Sequence, residues 1–200
     1  MVAVWVRCVG MIAAMIGGFS VGAVSAADIP APASWGARAP VVVETALYRP
    51  EAWEVRGGAF AQCCFVETGV NLGGEVVVPR FWIIPVIPEF FTPRLHAGFQ
   101  ASLNGHTSYG YAGLLWTINF FQRFFVEPFV GVAFSDGVAL GDANHNAIGC
   151  TTLIHSGGNI GVRLDRHWSV MLTLDHISNG NLCSRNVGVN NYGAKVGYAF

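Results

Sequence analysis

From about residue 53 onward this chain is organised by alternation of apolar and polar positions, not by long runs of either. Leu95, Ala97, Phe99, Ala101 and Leu103 alternate with His96, Gly98, Gln100, Ser102 and Asn104. The same period sets Ile154, Ile160 and Val162 against His155, Asn159 and Arg163. It also sets Tyr192, Val196, Tyr198 and Phe200 against Asn191, Gly193, Lys195 and Gly197. Side chains on a strand point to two faces in turn, so these segments are strands with one apolar and one polar face. Turn residues divide the chain into strands expected near 53–62, 69–79, 93–104, 109–120, 124–135, 148–163, 167–178 and 190–200.

The N-terminus changes what that alternation means. Met1 to Arg7 carries a positive charge, an apolar run from Cys8 to about Val24 follows, and Val24-Ser25-Ala26 is a small-residue cleavage site. An uncleaved anchor is the alternative, but Gly17-Gly18 interrupts the run. The expected division is a signal at 1–26, a Pro- and Ala-rich leader at 27–50 and one folded unit at 51–200. Beyond the signal no apolar run is long enough for a spanning helix. The chain is 52% hydrophobic and 12% charged. An exported chain of this kind has one way through a membrane, a closed barrel with every backbone group paired between strands. A soluble β-sandwich shows the same alternation with the meaning of the faces exchanged. The terminal Phe200, preceded by alternating aromatics, resembles the C-terminal signature of bacterial outer-membrane proteins and favours the barrel. The expected fold is therefore all-β, an eight-stranded antiparallel transmembrane β-barrel in the bacterial outer membrane.

A barrel of this size is filled by its own side chains. Arg94, His96, Gln100, Asn159, Arg163 and Lys195 supply a polar interior, which argues against a channel. A net charge of −1 with no basic patch excludes nucleic acid as a partner. Four cysteines follow the signal: Cys63, Cys64, Cys150 and Cys183. None has metal-ligand spacing. Cys63 and Cys64 are adjacent and are not expected to pair, whereas Cys150 and Cys183 can bridge two loops at one end of the barrel. His106 and His145 read as solvated loop residues. Pro79 to Pro93 fits poorly as a short turn and reads as an interfacial flap.

Chemistry concentrates at the end of the seventh expected strand. Val170, Leu172 and Leu174 share a face with His176 and Ser178. With the N-terminus in the periplasm, odd strands run outward. The His-Ser pair then lies on the lipid face at outer-leaflet depth, with the loop from Gly180 to Val189 outside. A base beside a hydroxyl in that position can attack a lipid ester.

The run His176-Ile177-Ser178-Asn179, then a loop and a short last strand ending in Phe200, resembles the PagL-type lipid A 3-O-deacylases, an acyloxyacyl hydrolase family. The resemblance is strongest over 172–200 and extends weakly to Ser108-Tyr109-Gly110-Tyr111-Ala112-Gly113. It implies a serine esterase that removes an ester-linked 3-hydroxyacyl chain from lipid A, the lipid anchor of lipopolysaccharide, with no cofactor and no metal. It implies Ser178 as nucleophile and His176 as base, with Asn179 and Gly180 as oxyanion donors. The family's acid, about twelve residues past the serine, corresponds to Asn190, and no Asp or Glu follows Asp175. Asn190 shares the outward parity of the dyad and can orient the imidazole without neutralising it. Asp175 has the opposite parity and points into the barrel. A non-enzymatic barrel with a surface role and a lipid A acyltransferase remain as alternative functions, and a homodimer remains open.

Overall fold

Strand formation here follows from the period-two pattern closing on itself. The computed structural model describes residues 47–80 and 91–200. The expected signal, most of the leader and the middle of the Pro79–Pro93 flap lie outside the described residues. The segments are β1 (Glu54–Cys63), β2 (Gly69–Val77), β3 (Arg94–Ser102), β4 (Tyr109–Leu115), β5 (Ile118–Phe120), β6 (Phe124–Ser135), β7 (Thr152–Arg163), β8 (Trp168–Ser178) and β9 (Val189–Ala199). All neighbours are antiparallel. β1 pairs with both β2 and β9, and β4 pairs with β6, so the sheet closes into a barrel.

The nine segments make eight strands. Leu115 pairs with Phe129 and Ile118 with Val126, so β4 and β5 keep one register along β6. The interruption at Trp116–Thr117 faces Pro128, which has no N–H to give the ladder. Trp116 N still donates to Pro128 O at 3.0 Å. The sixth expected strand starts later than the pattern suggested. Residues 148–151 belong to the loop before β7, where Cys150 is bonded to Cys183 and Gly149 has φ +86°.

The two faces are as the alternation predicts. Leu72, Val76, Phe99, Val132, Ile160, Leu172 and Val196 are exposed on the outside. Around the rim where β1 begins, Trp53, Phe121, Phe124, Trp168 and Phe200 are exposed as well, an aromatic girdle of the kind that sits at a membrane interface. This rim is called proximal, and the opposite one, where β1 and β8 end, distal. Inside, the buried guanidinium of Arg56 donates to Glu54 (2.9 Å) and to Glu127 (2.7 and 3.0 Å). Lys195 Nζ donates to Glu75 at 2.9 Å. Such charges are tolerated away from water because each is paired and hydrogen-bonded. Asp175 lies on this interior side, where Tyr109 Oη donates to it at 2.8 Å and Gln100 Nε2 donates as well.

Three loops crowd the distal rim: 103–108, 136–151 and 179–188. The Cys150–Cys183 disulfide joins the second to the third, with Cα atoms 6.2 Å apart. Cys63 and Cys64 are joined to each other, contrary to expectation. The chain leaves β1 through Cys64 with φ +84°, a left-handed turn that breaks the alternation and brings neighbouring side chains to one side.

Candidate active site

The cross-strand ladder, which parity alone does not give, sets the site. His176 on β8 lies directly opposite Asn190 on β9 and opposite Ser156 on β7. Asn190 in turn lies opposite Cys63 on β1. Directly opposed residues share a face with Cβ atoms about 4.5–5.5 Å apart. The outward row near the distal rim is therefore Ser156, His176, Asn190 and Cys63, above the exposed Leu172 and Leu174 of the same strand. Ser178 is two residues further along β8 on this face, and ends the strand.

Asn190 Oδ1 stands 2.8 Å from His176 Nδ1. A carboxamide oxygen can only accept, so Nδ1 carries the proton and Nε2 keeps its lone pair. The far edge of the ring rests on Gly188. A Cβ there would stand 2.6 Å from His176 Cε1, 2.6 Å from the Ile177 carbonyl oxygen and 3.2 Å from Nε2. Only glycine leaves room for the ring at this point. Gly188 lies one step beyond the Ile177–Val189 pair, level with Ser178. The ring thus leans over β9, away from Ser156, with Nε2 on the Ser178 side. Among the described residues Ser178 Oγ has no hydrogen bond, and the His-Ser contact is open. Two residues along a strand are separated by about 6.6 Å of backbone.

The side-chain Nδ2 of Asn179 donates to Ile148 O at 2.6 Å and to Arg185 O, and its backbone N–H donates to Asn186 Oδ1 at 2.9 Å. All these donors hold the distal loops. Gly180 and Asn181 follow with φ +62° and +66°, and Leu182 N closes back on Asn179 O at 3.1 Å. Positive φ at both central residues makes this a type I′ turn. The Gly180 N–H has no hydrogen bond among the described residues. Gly188 and the clamp role of Asn179 were missed by sequence reasoning. A glycine two residues before Asn190 on the same face was the available signal for the first.

His176, Ser178 and Asn190 are thus gathered on one outward patch, while Asp175 is turned inward. No group of three His, Cys, Asp or Glu among the described residues is arranged to hold a metal. The family model for lipid A 3-O-deacylase (PagL) matches residues 89–199. The chain belongs to the PagL family of lipid A 3-O-deacylases. It is accordingly a bacterial outer-membrane protein, and lipid A deacylation is the activity its family carries. The crystal structure of the outer membrane enzyme PagL is similar to it, at 17% identity over 72% of this chain and 97% of that one, with a TM-score of 0.56. The N-terminal β-barrel domain of Pseudomonas aeruginosa OprF is similar at 11% identity over 75% of this chain and 98% of that domain, with a TM-score of 0.50. At these identities the likeness is one of fold. No curated protein matches the chain. The PagL match takes in β3 to β9 and so includes Ser156, His176, Ser178 and Asn190, but not Cys63 on β1.

Proposed function

We propose that this PagL-family barrel is a serine esterase that hydrolyses an ester-linked 3-hydroxyacyl chain of lipid A in the outer leaflet. Ser178 is the nucleophile, His176 the general base and Asn190 the group that orients the imidazole. The observation that carries this reading is the 2.8 Å contact from His176 Nδ1 to Asn190 on the lipid-facing surface. An imidazole held in this tautomer has its basic nitrogen free on the side of the serine.

Ser178 Oγ rotates toward Nε2 and attacks the ester carbonyl carbon, and Nε2 takes its proton. The negative charge collects on the former carbonyl oxygen, within reach of the unbonded Gly180 N–H. Collapse breaks the bond to the sugar oxygen, and the proton on Nε2 goes to that leaving oxygen. Water then attacks the acyl-serine with the same nitrogen as base, releasing the 3-hydroxy fatty acid and restoring Ser178. Asn190 holds the ring but brings no charge to the imidazolium that forms at each step. A neutral partner makes a hydrogen bond about half as strong as a charged one, so the reaction runs more slowly than with a carboxylate.

Purified protein in vesicles containing lipopolysaccharide tests this. Release of a 3-hydroxy fatty acid is expected from the wild type and not from Ser178→Ala or His176→Ala. The double variant should be no worse than either single one, because nucleophile and base act as a unit. Equal release by Ser178→Ala and wild type would leave a non-enzymatic barrel as the better account.

A further inference from the structure

A buried carboxylate without an ion pair among the described residues stands at the distal mouth of the barrel, held by hydrogen bonds. Glu67, in the turn between β1 and β2, is fully buried. Gln62 Nε2 donates to it at 2.6 Å and Thr107 N at 3.0 Å. Thr107 Oγ1 and Asn146 N each donate at 2.9 Å. Its donors come from the end of β1, from the 103–108 loop and from the 136–151 loop. A buried carboxylate is costly unless hydrogen bonds satisfy it, and here four donors from three places converge on one group. An apolar plug would close the mouth without that cost. The carboxylate does something an apolar plug does not, which is to fix directions.

The direction it fixes leads to the imidazole. Asn146 is held on Glu67 through its N–H. Its Oδ1 accepts from Val66 N at 3.0 Å and Glu67 N at 3.4 Å, and it too is buried. Its Nδ2 reaches outward and donates to the carbonyl of Gly188 at 3.3 Å. The adjoining Val187 N donates to Ala147 O at 2.9 Å. Gly188 is the residue against which the His176 ring rests, with no space for a Cβ between them. A shift of this backbone by a fraction of an ångström therefore moves the ring.

We propose that Glu67 and Asn146 are positioning residues, a Glu67–Asn146–Gly188 tether that sets the height of Gly188 under His176 and so the aim of Nε2. The proposal rests on His176 and Ser178 being the reacting pair. Neither tether residue touches substrate. Both act through the backbone on which the base lies. Small misplacements of a reacting group cost from tenfold to about a hundredfold in rate, and the tether controls orientation, not binding.

The test uses the full-length protein in detergent or vesicles, with kcat and KM for lipid A deacylation. The second readout is the rate at which a long-chain fluorophosphonate labels Ser178 as pH is varied, mapped by peptide mass spectrometry. Asn146→Ala is expected to lower kcat and the labelling rate together by about tenfold. KM and the heat-shifted gel mobility of the folded barrel should be unchanged, and the rise of labelling with pH should flatten. Glu67→Gln keeps the size of the side chain and should show the same pattern more weakly. It decides the matter if Asn146→Ala does not fold. Labelling of Ser178 in the wild type with unaltered kcat and labelling in the folded variants would overturn the tether and leave the esterase reading intact. A fall in folded fraction alone, with normal kcat per folded molecule, would overturn it equally. Failure of the wild type to label at Ser178 would remove the reacting pair and the tether with it.

Discussion

Replacing Asn190 by Asp is the sharpest perturbation of the site, because it changes charge without changing shape. Asn190 Oδ1 already stands 2.8 Å from His176 Nδ1, so an Asp oxygen occupies the same point with no rearrangement. A hydrogen bond to a charged partner is worth about 1 kcal/mol more than a neutral one. At about 1.36 kcal/mol per tenfold, the gain in the transition state is roughly fivefold if the imidazolium is formed there. Asn190→Glu is one carbon longer and must push the ring off its seat on Gly188, so Asp should outperform Glu. The assay is release of 3-hydroxy fatty acid from lipopolysaccharide micelles. Wild-type rates in both Asn190→Asp and Asn190→Ala would refute the role given to Asn190.

Other parts of the structure give expectations of their own. Arg56→Met removes the cation between Glu54 and Glu127; Glu54 keeps Arg94 at 3.5 Å, while the buried Glu127 loses its ion pair with Arg56. The barrel should lose about 3–5 kcal/mol, read as a lower midpoint for loss of heat-shifted mobility in urea, and an unchanged midpoint would mean that the interior network is not under electrostatic load. Replacing Cys150 and Cys183 together by Ser opens a long loop and should cost about 2–4 kcal/mol, with faster proteolysis in 179–188. Equal proteolysis of both proteins would show that the Asn179 clamp alone holds that loop. In the 136–151 loop, hydrogen bonds from the Asn144 backbone and His145 hold the Asp142 carboxyl below its ordinary value, and Asp142 raises the His145 imidazole above its own. The His145 contribution is complete below the usual histidine value of about 6.5 and is lost as pH rises through the raised one. The Asp142 contribution is present above about 3.9 and is lost as pH falls through the lowered value. Amide exchange at Asn144 and His145 should be slowest between those limits, and a flat profile would discount the pair.

The legible part of this molecule was the part written in period two. Strand number, the outward stripe on β8 and the inward turn of Asp175 all follow from alternation, since one face meets lipid and the other meets a filled interior. The outward position of Asn190 was legible by the same parity. Its place directly opposite His176 was not, because parity says nothing of register between strands, and that depends on the length and shape of the 179–188 loop. The break at Trp116–Thr117 is caused by Pro128 on the partner strand, so no reading of residues 109–120 alone finds it. The hydrogen bonds of Asn179 were not legible either, because its donors answer to Ile148, Arg185 and Asn186 on loops brought together by the fold. The bond between Cys63 and Cys64 depends on the left-handed turn at Cys64, a local exception that alternation does not announce.

The central claim, that this barrel deacylates lipid A through an outward-facing Ser178, is tested most directly by mass spectrometry of lipid A. Outer membranes are compared from cells producing the wild-type chain, the Ser178→Ala chain or neither. The account predicts lipid A lighter by one ester-linked 3-hydroxyacyl group with the wild type only, at equal amounts of folded barrel. The same mass loss with Ser178→Ala, or intact lipid A with a wild-type barrel that is folded and in the membrane, would contradict it.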